Sequence, residues 1–252
     1  MTNLIITDQP AREVGEHINN IIQDHYGDAV VLLGGDEALD IVEHIKPGKK
    51  CFHQECQSDA TQTKETYCQR SECRTIFIMG NEQVSRGSKT GNYLQLVQRY
   101  ADHPVVSLTI DTSINDNESI KDFSTRIENT FLEKLTELNN PKIISILNIY
   151  GDGHIAGIFS MNEASFRKTY QDDLTYVSVH AEGLKINSRA SFTPSWILNN
   201  ANELIGYAVG LDKKDILVGM SLETKKLNER PAELFSLHKH SSIYTDQDIE
   251  TM

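Results

Sequence analysis

An aspartate and a histidine two residues apart, interleaved with glycines, form the most chemically loaded stretch of this chain: Tyr150-Gly151-Asp152-Gly153-His154. An imidazole titrates near neutral pH and can take a proton from water. A carboxylate beside it can fix its orientation and polarise it. The apolar, β-branched run of residues 143–147 just before this turn predicts a buried parallel strand. Ligands of open α/β sheets sit at the carboxyl ends of the strands, so Asp152 and His154 stand where an acid/base pair is useful. The same residues also fit a sharp turn with a hydrogen-bonded histidine. Residues 155–159 read as a short helical turn.

A second candidate is Gly34-Gly35, between the apolar run of residues 29–33 and a helical pattern at Ala38, Leu39, Ile41, Val42 and Ile45. A strand, glycine turn and helix offer backbone N–H groups to a phosphate. A plain strand-to-helix turn has the same signature. The four cysteines Cys51, Cys56, Cys68 and Cys73 fall in one polar segment. Their C-x4-C-x11-C-x4-C spacing is not that of common zinc knuckles. Free thiols in a solvated insertion are the expected state, with zinc or redox chemistry as the minority reading.

Composition bounds the rest. The 252 residues, 38% hydrophobic, suffice for one α/β domain. A net charge of -12 argues against a nucleic-acid partner. It also requires a local cationic pocket if the substrate is an anion. No apolar run approaches a membrane span, and the first residues carry no basic or apolar leader pattern, so a cytoplasmic protein is expected.

The elements that must position these groups alternate. Residues 10–26 predict a helix with Val14, Ile18, Ile21 and Ile22 on one face. Strands are expected at 29–33, 75–79, 104–110, 143–147, 174–180 and 207–210. Helices are expected from Asn92 to about Asp102 and over 120–138. Another starts at Pro194, capped by Thr193, with Trp196, Ile197, Ala201 and Ile205 on it. Helices also open near Leu211 and at the Pro231-Ala232 stretch, and a last strand covers 241–246. The pattern predicts an open, mostly parallel sheet with helices on both faces.

The Asp152-Gly153-His154-Ile155-Ala156 signature, followed by Ile158-Phe159, resembles the 6-phosphogluconolactonase and glucosamine-6-phosphate deaminase superfamily. The resemblance covers nearly the whole chain in order, as one domain over 1–252 with a cysteine-containing insertion at about 49–74. It implies a modified Rossmann-like fold. Leu33-Gly34-Gly35-Asp36-Glu37-Ala38 matches the glycines of the family's SGGSTP phosphate loop, but two carboxylates replace its hydroxyls. Asn81-Glu82-Gln83-Val84 stands for DERxVP, and Asn92-Tyr93 matches SNY. Arg189 and Lys213 match the family's phosphate-binding arginine and lysine. Glu82 and His238 are further possible site residues.

The resemblance implies hydrolysis of a sugar-phosphate lactone in the pentose phosphate pathway. His154 would be general base, Asp152 its partner, and Gly34, Gly35, Arg189 and Lys213 the phosphate grip, with no cofactor. Deamination of an amino sugar phosphate ranks lower, because the carboxylate base of that reaction is here Asn81. A non-catalytic sugar-phosphate-binding or interaction protein is the third possibility, given the altered motif positions. Asp36 and Glu37 open a helix, where aspartate can cap. They predict weak phosphate affinity, and replacing them by Ser and Thr is expected to tighten it at least tenfold at little cost in stability.

Overall fold

In the computed structural model, the described residues are 2–25, 27–47, 73–84, 91–180 and 188–249. The cysteine segment, apart from Cys73 and Arg74, lies outside them.

Six strands form one parallel sheet: β1 (Asn3–Ile6), β2 (Ala29–Leu33), β3 (Thr75–Met79), β5 (Lys142–Asn148), β8 (Glu203–Ala208) and β9 (Ser241–Thr245), in the order β1-β9-β8-β5-β2-β3. β2 pairs with β5 on one side and β3 on the other. All five residues of β2, Ala-Val-Val-Leu-Leu, are buried, as a strand covered on both faces requires. Their alternation divides two cores. Val30 and Leu32 pack on one side, while Ala29, Val31 and Leu33 pack on the other.

The second of these sides is covered by α1 (Pro10–Asp24), the 3-10 segment Asp36–His44, and α2 (Asn92–Arg99). Val14, Ile18 and Ile22 of α1 recur every fourth residue and are buried there. The other side takes α4 (Ile120–Thr136), with Phe123, Ile127 and Phe131 at the same spacing. Ser119 caps α4 by accepting from the Asp122 N–H. α6 (Pro194–Asn200), α7 (Lys214–Leu222) and α8 (Leu234–Leu237) also lie on this side. Thr193 caps α6 by accepting from the Trp196 N–H at 3.2 Å.

Three expectations are corrected. Residues 104–110 do not form a strand. Pro104 occupies the first position of a short helix, α3 (Pro104–Ser107), and the His103 ring accepts from the Val105 N–H. The chain meets the sheet only at Thr109, through a bridge to Phe77. Residues 155–159 are not helical. Ala156 has φ +50°, and Ile155 and Ile158 exchange backbone hydrogen bonds in a tight reversal that buries both side chains. Ala201 and Ile205 are not on α6, which ends at Asn200; Ile205 is central in β8.

A feature outside the sequence reading is a second, antiparallel sheet: β4 (Asn81–Gln83), β6 (Tyr176–His180) and β7 (Ser188–Phe192), in the order β4-β7-β6. β4 follows β3 after the single residue Gly80, so the chain steps directly from the large sheet to the small one. The register sets Gln83 opposite Arg189. The remaining helix, α5 (Glu163–Thr169), precedes β6. Among the described residues no helix is long and apolar enough to cross a membrane.

Candidate functional site

The carboxyl ends of β2, β5 and β8 converge, and the small sheet brings β7 beside them. β5 runs into the Tyr150–His154 turn. Gly153 has φ +86°, a conformation L side chains rarely adopt. A side chain there would also meet the Arg230 stem and Ile216 at 3.0 Å. The Gly153 carbonyl accepts from the Ala232 N–H at 3.0 Å, so the turn is pinned from behind. Arg230 itself is buried and donates through Nε to Glu233 at 2.6 Å.

His154 Nδ1 lies 2.5 Å from Asp152 Oδ1. The ionised carboxylate can only accept, so Nδ1 carries the proton. Asp152 Oδ1 also accepts from the His154 backbone N–H at 3.1 Å. Nε2 has no hydrogen-bond partner among the described residues, and it is the atom left with a lone pair. The imidazole is clamped face to face between two rings. Tyr150 stacks on it at 4.0 Å and 4°, and Phe159 at 4.8 Å and 26°. The histidine side chain is 13% exposed, the aspartate 70%. Hydrogen bonding to His154 holds the Asp152 carboxyl below its usual range, against partial burial.

The turn after β2 is built differently. A side chain at Gly35 would collide with the Asn92 amide, so only glycine fits. Asp36 follows with φ +48°. Its carboxylate does not cap the segment it begins; Gly35 is the N-cap, with no side-chain cap bond. Instead Oδ2 accepts from the Tyr150 hydroxyl at 2.6 Å and Oδ1 from the Gln83 amide at 3.0 Å. Burial, then the negative Asp36, push the Tyr150 hydroxyl far up, which keeps it a donor. Glu37 is exposed.

The two expected phosphate cations are both near. Lys213 follows β8 in the 3-10 segment Leu211–Lys213 and is buried. Its Nζ lies 5.6 Å from the Tyr150 ring centroid and 2.5 Å from Asp212 Oδ2. Arg189 is half-buried on β7; burial lowers its pKa against the attraction of Asp36, Tyr150 and Glu82. Gly34, Gly35, Asp152, His154, Arg189 and Lys213 therefore come from four separate elements to one edge.

Glu82 and His238 are placed elsewhere. Glu82 is fully buried, and its carboxylate accepts from the backbone N–H groups of Asn92, Tyr93 and Gln83 and from the Thr112 hydroxyl. Burial raises its pKa to about 7 despite these donors. It holds α2 against β4 and presents no open oxygen lone pair to the turn. Asn81 is buried, and an amide supplies no base. His238 lies at the opposite, amino edge of the sheet. Its Nδ1 is 2.8 Å from the His240 carbonyl and its Nε2 2.9 Å from the Ala201 carbonyl.

The sequence reading gave no role to Tyr150, which joins His154 to Asp36, nor to Arg230. Tyr150 was visible only as the first residue of the turn. Cys73 is disulfide-bonded, which corrects the free-thiol expectation there. Composition and compartment do not tell which sulfurs approach within bonding distance. Cys51, Cys56 and Cys68 lie outside the described residues, among which no group of three metal-ligating side chains occurs.

No protein-family model matches the sequence, and no curated protein matches it. Solved structures do. A 6-phosphogluconolactonase from Shewanella baltica is 15% identical with a TM-score of 0.70, over 97% of this chain and 98% of that one. The enzyme from Trypanosoma brucei is 17% identical with a TM-score of 0.68, over 97% and 95%. The one from Thermotoga maritima is 16% identical with a TM-score of 0.67, over 97% and 99%. The chain thus has the fold of the 6-phosphogluconolactonases across nearly its whole length.

Proposed function

We propose that this chain is a hydrolase that opens a sugar lactone of the 6-phosphogluconolactone kind. The observation that carries the reading is His154 itself: Nδ1 is held by Asp152 and Nε2 is left open at the carboxyl edge of the sheet. In this reading Nε2 takes a proton from water. The resulting hydroxide equivalent attacks the lactone carbonyl carbon, and the ring carbon–oxygen bond breaks. The imidazolium returns its proton to the leaving ring oxygen, giving the open hydroxy acid. Lys213 and Arg189 supply positive charge along the same edge. The reaction needs no cofactor, and its setting is carbohydrate metabolism in the cytoplasm.

Deamination has less support, because Asn81 is an amide and the Glu82 carboxylate is spent on four donors. The test is hydrolysis of a panel of sugar lactones, measured against spontaneous opening. The reading expects a rate above background that His154→Ala removes. No acceleration with any lactone would refute it.

A further inference from the structure

We infer that Asp36 is a specificity-determining residue that turns the site toward an uncharged, hydroxyl-bearing lactone and away from one carrying a phosphate. The inference rests on the hydrolase reading for its chemistry, but its argument is about charge and hydrogen-bonding sense.

A phosphate needs donors and positive charge. The side chains gathered on the Gly34–Gly35 turn present oxygens. The Asp36 carboxylate is held in place by Tyr150 and Gln83, so it is fixed beside the turn rather than free to swing into solvent. The Asn148 amide donates through Nδ2 to the Gly35 carbonyl at 2.6 Å, which fixes Oδ1 on its other side. That oxygen is buried and unpartnered, 3.5 Å from where a side chain at Gly34 would start. Asn92 likewise donates to the Asn81 carbonyl at 2.9 Å and leaves a buried, unpartnered Oδ1 against Gly35.

The cations of the same edge already face carboxylates. Lys213 is 2.5 Å from Asp212, and Arg189 is attracted by Asp36. Asp36, Asp152 and Asp212 against Lys213 and Arg189 leave the edge net negative before any ligand arrives. A phosphate dianion would add to that repulsion, whereas sugar hydroxyls can donate to the second lone pairs of Asp36.

The variant that isolates the charge is Asp36→Asn. Asparagine keeps the shape, tolerates positive φ and accepts from one of the two donors. Initial rates would be measured on purified full-length protein with 6-phosphogluconolactone and with gluconolactone, which differ only in the phosphate. The inference expects wild type to favour gluconolactone in kcat/KM, and Asp36→Asn to shift that ratio toward the phosphorylated lactone at least tenfold, about 1.4 kcal/mol. A wild-type preference for the phosphorylated lactone, or an unchanged ratio in the variant, overturns it. Calorimetry with gluconate and 6-phosphogluconate gives the same comparison without turnover. Gluconate bound more tightly, with no hydrolysis of either lactone, sinks the hydrolase reading but sustains the role of Asp36. Tighter 6-phosphogluconate, or binding of neither, overturns the inference.

Discussion

Both edges of the large sheet carry polar side chains, and they use them differently. At the amino edge the polar groups serve the backbone. Asp28 accepts from the N–H groups of Arg74 at 2.7 Å and Asn139 at 2.8 Å. Asn202 accepts from the Ile143 N–H at 2.7 Å, and both ring nitrogens of His238 face carbonyls. At the carboxyl edge side chains pair with one another: Tyr150 with Asp36, His154 with Asp152, Lys213 with Asp212. A group whose polar atoms are all spent on the backbone stabilises a turn and has nothing left for a ligand. A side-chain pair holds geometry and keeps an atom such as His154 Nε2 open. His154 and His238 are told apart by this contrast.

The comparison is broken most directly by exchanging the two histidines' fates. His154→Ala is expected to lower kcat/KM for lactone hydrolysis by roughly 10²–10⁴ while folding is retained. His238→Ala is expected to leave kcat/KM within about threefold and to cost about 1–3 kcal/mol of stability by denaturant titration, because it removes a buried ring that links the Ala201 and His240 carbonyls. Equal losses of activity would place His238 in the chemistry and undo the contrast.

Glu82 sharpens it next, as a carboxylate on β4 that works on the backbone. Burial raises its pKa from 4.5 to about 7. Between those values the folded state binds a proton that the unfolded state has released. Stability from this group is therefore present below about pH 4.5 and is lost as pH rises through about 7, on the order of 3 kcal/mol in all. Unfolding titrations across pH 4–8 should show that decline, and Glu82→Gln should flatten it. A decline that persists in the variant assigns it to other groups.

Gly153→Ala tests the turn itself. Positive φ and the 3.0 Å approach to Arg230 and Ile216 predict a loss of about 1–3 kcal/mol, with kcat/KM falling because His154 is displaced. The smallest effect is expected at Asp152. Its carboxylate is largely exposed, and exposed ion pairs are worth about 0–1 kcal/mol. Asp152→Asn should lower kcat less than tenfold with unchanged melting; a loss as large as that of His154→Ala would mean the carboxylate does more than orient the ring.

The sequence by itself determined the parts whose causes are local. Apolar five-residue runs became buried strands, fourfold spacing became α1 and α4, and Thr193 capped the helix it precedes. The Asp152–His154 bond spans two residues, so the motif contains its own geometry. The failures came where a local signal admits two outcomes. Val105 and Val106 favour a strand by type, yet Pro104 and the His103 cap made a helical turn. Nothing in the residues around His238 tells whether it faces a ligand or a carbonyl of another loop. Only the tertiary structure decided that the turn after β2 meets the turn after β5, which put Tyr150 on Asp36 across 114 positions of chain. Only the step from β3 to β4 brought Gln83 to Asp36 and set Arg189 opposite it. Backbone propensity acts over a few residues, while the pairing of β2 with β5 is settled by burial of whole faces. The Asp152–His154 pair was therefore legible in one short motif, and the meeting of Asp36, Tyr150 and Gln83 beside it was not.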